Sequence, residues 1–238
     1  MIDERMAAIA VETAPDDIAT RMIAARDASG RGFDRAELID QITIFLLAGH
    51  ESSAAALGWA LYLLAFDEAV QTRAREQALT LPVAPTLSDI RSALYLRDVF
   101  REALRLYPPV PMILREAANA EHFRDRDIAA GSMVIVSPWH LHRHSRIWAN
   151  PDDFDPDRWQ SGDTNRCPKQ AFIPFSTGPR GCIGQSFAMI EGITMLASLL
   201  RRFEFSQIAG QAPEPVAYLT VRSRNGIRLK IRRCSDSD

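Results

Sequence analysis

Cys182 has the surroundings in this sequence that are best suited to chemistry. It follows Arg180 and precedes an apolar segment with helical spacing, and three glycines lie close to it: Gly178, Gly181 and Gly184. Glycine allows positive φ angles and a close approach of the backbone to a bulky group, while a helix N-terminus and a nearby cation favour a thiolate. These residue types indicate a thiolate ligand for a metal. The alternative is a buried, inert cysteine in a turn.

A second group of polar residues interrupts the long apolar stretch 42–66. It contains Glu51 and Ser52, and Ala48 and Gly49 come shortly before them. A glycine inside a helix costs about 1 kcal/mol relative to alanine, so Gly49 makes sense where a ligand approaches the backbone. An acid beside a hydroxyl can relay protons, which would make Glu51 and Ser52 catalytic. The alternative is a polar kink that faces solvent.

Three alternating histidines offer a different kind of chemistry. They are His140, His142 and His144, and alternate residues of a strand lie on one face, so they could form a zinc site. A metal-dependent hydrolase is therefore one hypothesis for this chain. Pro138 and the loop signals around it weaken the strand, so this hypothesis ranks below a thiolate site.

The composition is that of an ordinary globular protein. The chain has 238 residues, of which 47% are hydrophobic and 24% charged, and its formal net charge is -2. This balance predicts neither a nucleic-acid partner nor an anionic membrane surface. Cys167, Cys182 and Cys234 are odd in number and far apart, so we expect a reducing, cytoplasmic location rather than a disulfide framework.

The N-terminal residues have neither the basic start nor the apolar run of a secretory signal. The stretch 42–66 is long enough to cross a bilayer, but His50 and Glu51 lie near its centre, where an ionised group in lipid is costly. We therefore expect a buried core helix and no membrane span.

Local signals place helices first and strands later. The predicted helices cover residues 1–29, 35 to beyond 66, 88–107 and 184 to about 202, and the predicted strands are 132–137 and a hairpin over 218–231. Asp34 followed by Glu37 is a capping-box pattern, and Ser88 is the expected cap of the third helix, which Pro108 must end. Asn225-Gly226 between alternating residues is typical of a hairpin turn. This order favours a mainly α, α+β fold.

The run around Cys182 resembles the cysteine-ligand loop of the cytochrome P450 family, whose pattern is Phe-x-x-Gly-x-Arg-x-Cys-x-Gly. All five fixed positions are matched, by Phe175, Gly178, Arg180, Cys182 and Gly184. By average composition, a chance match anywhere in the chain is on the order of one in ten thousand. The resemblance implies that Cys182 is the axial ligand of the iron in haem b.

The polar group on the long helix is similar to the oxygen-activation motif of the same family. The resemblance implies that Ala48 and Gly49 lie against the cofactor and that Glu51 and Ser52 deliver protons. The family usually has threonine where this chain has Ser52, so the hydroxyl is retained on a side chain that rotates more freely.

Two further matches follow in the family's order. Glu102 and Arg105 share a helix face, and with Arg158 of the later Pro-Asp-Arg-Trp segment they are expected to form a buried charged network around the haem loop. Arg115 and Arg180 are expected to bind the haem propionates, because the planar guanidinium matches a carboxylate.

The resemblance implies a monooxygenase that inserts one oxygen atom of O2 into a small, hydrophobic organic substrate. No G-x-G-x-x-G loop for a flavin or nicotinamide is present, so electrons would come from a separate ferredoxin or flavoprotein reductase. The alternative is a truncated, catalytically incompetent remnant of such an enzyme.

The matches cover only the C-terminal portion of the family fold, so residues 1–238 are expected to form a partial domain. It would comprise a helical part with the long oxygen-binding helix, a strand and loop part with the cysteine loop, and a final helix and hairpin: 1–110, 111–184 and 185–238. The expected fold is thus a long core helix with small β-sheets and a haem-binding cysteine loop.

Overall fold

The computed structural model describes residues 2–10, 12–160 and 169–234, so Cys167 lies outside the described part. Contacts divide the chain into two compact units, Met1–Glu51 and Ser52–Asp238. The helices are α1 (Ile2–Ala10), α2 (Ile18–Ala24), α3 (Arg35–Phe66), α4 (Glu68–Thr80), α5 (Leu87–Ser92), α6 (Leu94–Leu106), α7 (Pro138–Leu141) and α8 (Gln185–Arg202). The strands are β1 (Ile113–Glu116), β2 (Glu121–Phe123), β3 (Arg126–Ile128), β4 (Met133–Val136), β5 (Phe203–Gln207), β6 (Pro215–Ala217), β7 (Val221–Ser223) and β8 (Leu229–Arg233). The mainly α fold with small sheets is confirmed.

The first unit contains α1, α2 and the beginning of α3. The predicted continuous helix over 1–29 is wrong, because α2 starts anew at Asp17, whose side chain accepts a hydrogen bond from the Thr20 amide at 2.9 Å. The predicted capping box at the start of α3 is confirmed. Asp34 accepts from the Glu37 amide at 2.9 Å, and Glu37 accepts from the Asp34 amide at 2.9 Å.

Helix α3 has the predicted start and extends to Phe66, but its two halves differ in burial. Trp59, Ala60 and Leu64 in the second half are buried, whereas Leu46 and Leu47 in the first half are 67% and 68% exposed. The predicted burial of the whole helix is therefore wrong, because Ile44, Leu46 and Leu47 of its first half are exposed although Leu38 is buried. Among the described residues no single helix passes as a membrane span by length and apolar character, whereas α3 and α4 together do, with a bend of 116° between them.

The core of the second unit forms where α4 and α6 pack on α8. Its fully buried side chains include Leu64, Leu96, Leu104, Leu196 and Leu200. Gly192 on α8 allows the closest approach, since a Cβ there would lie 2.3 Å from the Phe100 ring of α6. This packing holds α6, which carries the charged network, against α8, which begins at the cysteine loop.

The predicted third helix is two helices, and its cap is Thr86 rather than Ser88. Thr86 accepts from the Asp89 amide at 3.3 Å, while Asp89 accepts from the Thr86 amide at 2.8 Å. Thr86 wins because it has an acid three residues later, which completes a capping box. After a break at Ala93, α6 runs to Leu106, and Pro108 follows as expected.

The sheets are four antiparallel pairs among the described residues: β1–β4, β2–β3, β5–β8 and β6–β7. The strand predicted at 132–137 is confirmed as β4. The predicted hairpin over 218–231 is wrong, because β7 and β8 pair with other strands. The Asn225-Gly226 turn exists, with Gly226 at φ +77° and its amide 3.3 Å from the Ser223 carbonyl oxygen. A local turn signal thus located the bend and did not determine which strands pair.

Candidate functional site

Two backbone hydrogen bonds shape the cysteine loop, which we define as residues 173–184. The Ser176 amide donates to the Ile173 carbonyl at 3.1 Å, and the Cys182 amide donates to the Phe175 carbonyl at 2.8 Å. Gly178 has φ +69°, in the left-handed region where glycine carries no steric penalty. The loop therefore folds back on itself just before α8.

The Cys182 thiol is free and exposed at the end of this loop. The next apolar side chains, Ile183 and Phe187, are 80% and 70% exposed. Gly184 is the cap residue of α8, and a Cβ there would lie 3.8 Å from the Cys182 sulfur. The loop thus presents a thiol beside apolar side chains at the N-terminus of a helix, as the sequence predicted for a thiolate ligand.

Arg115 on β1 reaches the cysteine loop. One Nη atom donates to the Ser176 hydroxyl at 3.4 Å, and the other donates to the Leu114 carbonyl at 2.8 Å. Arg180 is exposed in the 3-10 turn Gly178–Arg180. The structure therefore brings Arg115 and Arg180 to one loop, while their binding of propionates stays a prediction.

The proton-relay residues lie on consecutive positions of α3. Ala48 and Gly49 are exposed, and Glu51 and Ser52 are half-buried. A Cβ at Gly49 would meet no described atom within 4 Å, so packing within the chain does not demand glycine there. The catalytic role of Glu51 and Ser52 stays a prediction.

The predicted buried network is confirmed around the carboxylate of Glu102. Both oxygens of Glu102 accept from Arg105, at 2.8 and 3.0 Å, and Oε1 also accepts from Arg158 Nε at 2.8 Å. Glu102 and Arg105 are 0% exposed. The indole of Trp159 and the amide of Asp155 donate to the same carboxylate at 3.0 and 3.2 Å. One carboxylate therefore ties α6 to the Pro156–Trp159 turn.

Backbone carbonyls accept further hydrogen bonds from the two arginines of the network. The sequence did not predict these backbone contacts. Arg105 uses all five of its N–H groups: two donate to Glu102, and three donate to the carbonyls of His142, Pro151 and Asp153. Arg158 donates to the carbonyls of Ala149 and Asn150 at 2.8 and 3.2 Å. Arg105 thus has the complete set of hydrogen bonds that a buried guanidinium needs.

The three histidines do not form the hypothesised zinc site. Residues 138–141 form the short helix α7, so alternate positions do not share a strand face. His142 is buried, with its Nδ1 3.2 Å from the Arg105 carbonyl oxygen and its Nε2 2.9 Å from the Ile173 amide. His140 and His144 are exposed and bond to Ser137 and to the Arg146 amide. No group of three metal-ligating side chains occurs among the described residues.

The sequence singled out His142 only as a candidate zinc ligand and missed its contacts with Arg105 and Ile173, because these partners are distant in the chain. Burial lowers the pKa of His142 to about 4, and the nearby cations Arg105 and Arg143 act in the same direction. The ring is therefore neutral at pH 7. Its Nδ1–H donates to the carbonyl, and its Nε2 accepts from the amide.

Comparison with known proteins agrees with the motifs. A family model described as cytochrome P450 matches residues 1–231. Human cytochrome P450 4A11 is 38% identical over 210 residues, covering 85% of this chain and 40% of that protein. A taurochenodeoxycholic 6 alpha-hydroxylase of Sus scrofa is 35% identical over 216 residues, covering 89% of this chain and 42% of that protein.

Human cytochrome P450 4B1 is 33% identical over 244 residues, covering 98% of this chain and 48% of that protein. The chain thus spans less than half the length of each of these three relatives. The family model nevertheless extends over nearly the whole chain. With its cysteine loop and buried Glu102–Arg105–Arg158 network, this chain belongs to the cytochrome P450 family.

Proposed function

We propose that this chain is part of a haem-thiolate monooxygenase in which Cys182 would hold the haem iron through its thiolate. The observation that carries the proposal is the exposed, free thiol of Cys182 on a loop whose backbone is closed by the Cys182–Phe175 hydrogen bond. A thiolate is a soft ligand that would suit the iron of a haem.

The residues around Cys182 fit haem b. Exposed Ile183 and Phe187 offer apolar contact, and Arg115 and Arg180 can pair with carboxylates in a planar, bidentate way. Gly184 keeps a side chain away from the sulfur, since a Cβ there would lie 3.8 Å from it, and Gly178 allows the positive φ of the loop. When bound, the haem would bind and activate O2, with the thiolate favouring O–O cleavage.

The remaining roles belong to side chains on α3 and to partners. Glu51 and Ser52 would hold and pass the protons that oxygen activation consumes, while Ala48 and Gly49 would leave room for the cofactor. One relative is named as a hydroxylase, which is consistent with oxygen insertion into an apolar organic substrate. We also propose a separate ferredoxin or flavoprotein reductase as electron donor and a cytoplasmic location.

A carbon-monoxide difference spectrum tests the proposal. The reduced protein, reconstituted with haem, should show the red-shifted carbon-monoxide band of thiolate ligation, and Cys182→Ser should lose it because a hydroxyl is a poor ligand. Cys234→Ser is the matched control, since Cys234 lies beyond β8 and its amide bonds to the Arg202 carbonyl. If Cys182→Ser kept the band, or if Cys234→Ser lost it, Cys182 would not be the ligand.

An alternative is that this chain by itself is an incompetent remnant. One observation favours it, namely the exposure of Leu46 and Leu47 on α3. A parent chain that is folded, as judged by its tryptophan fluorescence, and yet binds no haem would support the remnant over the monooxygenase.

A further inference from the structure

His142 connects the charged network on α6 to the cysteine loop. Its imidazole is 0% exposed, although histidine carries two polar nitrogens that must find partners. Nδ1 lies 3.2 Å from the carbonyl oxygen of Arg105, near the end of α6, and Nε2 lies 2.9 Å from the amide of Ile173, the first residue of the loop. Each nitrogen thus holds a different segment.

A second hydrogen bond joins Arg105 to His142, and backbone hydrogen bonds of the loop lead from Ile173 to Cys182. Arg105 Nη1 donates to the His142 carbonyl at 2.9 Å, so Arg105 and His142 are joined twice. From Ile173 the path continues through the Ser176 amide on the Ile173 carbonyl and the Cys182 amide on the Phe175 carbonyl. The ring of Phe172 packs beside His142, with the two ring centroids 5.3 Å apart.

We propose that His142 is a positioning residue whose neutral imidazole fastens the cysteine loop to α6, and that protonation of Nε2 releases the loop. The consequence for the cofactor rests on the proposed function, because it assumes that Cys182 ligates iron. The fastening itself is independent of that assumption. The hydrogen bonds of the His142 ring go to Arg105 and Ile173, and Ile173 is nine residues before Cys182 in the chain.

The cations near His142 oppose a proton on its ring, and the carboxylates on the elements packed against it are already paired with guanidinium groups. On α6 these are Arg105, a cation, and Glu102, whose carboxylate is already occupied by two guanidinium groups. Arg143 follows in the chain, with Asp152 3.4 Å from its Nε on the facing segment. The loop side contributes apolar Phe172 and Ile173.

Protonation would turn Nε2 into a donor that points at the Ile173 N–H, another donor. The pKa of His142 is lowered by burial to about 4, below its ordinary 6.5. Neutral His142 therefore persists in the folded chain at pH 6, where an exposed histidine is mostly charged. We expect the loop to loosen only as the pH falls toward 4.

The first test measures amide exchange and needs no cofactor. In the parent chain the Ile173 amide should be protected at about pH 7, and its exchange, corrected for the intrinsic rate, should rise about tenfold or more toward pH 4. His142→Phe, which lacks the acceptor, should exchange about tenfold faster at neutral pH with a flat profile. His140→Phe, at an exposed histidine next to the same helix, should match the parent.

The second test uses the haem-loaded protein. In the parent and in His140→Phe, the fraction of protein that shows the red-shifted carbon-monoxide band should fall within the window between pH 6.5 and 4, mainly as the pH approaches 4. In His142→Phe the fraction should be lower at neutral pH and independent of pH in that window. A parent without the band, but with a protected and pH-sensitive Ile173 amide, would refute the proposed function and leave the fastening intact.

The opposite pattern would overturn the inference. It would be a parent that shows the band while the Ile173 amide exchanges at the same corrected rate from neutral pH to pH 4. If His142→Phe does not fold, the pH profile of the parent still decides, because it requires no substitution. An Ile173 amide as protected in His142→Phe as in the parent would likewise refute the role of Nε2.

Discussion

Glu102→Gln is the sharpest perturbation of the buried network. It keeps the size of the side chain, removes the negative charge opposite two guanidinium groups, and replaces one acceptor oxygen by an NH2 group. Oε1 accepts from Arg105, Arg158 and the Asp155 amide, and Oε2 accepts from Arg105 and Trp159. Whichever way the amide turns, its NH2 group therefore faces donors.

The expected loss follows from the burial. Removing one partner of a buried ion pair costs about 3–5 kcal/mol, because the other charge stays buried without compensation. Glu102 and Arg105 are 0% exposed, so water cannot replace the lost carboxylate. We expect the free energy of unfolding to fall by about 4 kcal/mol, a large part of the roughly 5–15 kcal/mol of a typical domain.

Urea unfolding followed by tryptophan fluorescence measures this loss. Trp148 and Trp159, with ring centroids 5.8 Å apart, lie beside the network, so their fluorescence reports the unfolding of the second unit. The matched control is Asp157→Asn in the same turn as Arg158, since its pair with Arg73 is half exposed, at 52% and 47%. The control should lose at most about 1 kcal/mol. Equal losses in the two variants would refute the argument from burial.

Three further changes have defined outcomes. Gly192→Ala should lower the free energy of unfolding by about 1–3 kcal/mol, because its Cβ would lie 2.3 Å from Phe100. Gly58→Ala, with its nearest contact at 3.4 Å inside α3, should be neutral or stabilising by up to about 1 kcal/mol, and thermal melting compares the two variants. The depressed pKa of His142 makes its contribution complete above about pH 6.5 and progressively lost toward pH 4, so the parent should lose on the order of 3 kcal/mol more than His142→Phe across that window in urea titrations at each pH. Ser52→Ala should raise the ratio of peroxide to product, and Ser52→Thr should lower it; identical ratios in a reconstituted enzyme would remove Ser52 from oxygen activation.

Elements with local causes could be predicted from the sequence. Asp34 and Glu37 begin α3 through bonds between neighbours, and the glycines around Cys182 permit the turns of its loop. The Glu102–Arg105 pair needed the resemblance to the family as well, because an acid and an arginine at this spacing are common on surfaces. Their burial became predictable only together with Arg158.

Features that depend on distant partners could not be predicted. The alternation of histidines suggested a metal site, whereas the role of His142 is set by Arg105 and Ile173, 37 and 31 residues away. The Asn225-Gly226 turn carries no information about pairing, and β8 pairs with β5, which is more than twenty residues earlier in the chain. Long-range contacts decide such cases, and local patterns do not encode them.

The carbonyls that receive the guanidinium bonds make residues 149–153 unusual among surface segments. Their main chain is held by four bonds from Arg105 and Arg158, whereas the side chains of Ala149, Asn150, Asp152 and Asp153 point to solvent. The hydrogen bonds that fix the backbone of this segment therefore do not involve its own side chains. A spin label or fluorophore attached at Ala149 or Asp153 would be linked to a backbone that is held by hydrogen bonds, and it would contact no buried group. Distances measured from such a label would report motions of other parts of the molecule with little contribution from the attachment site.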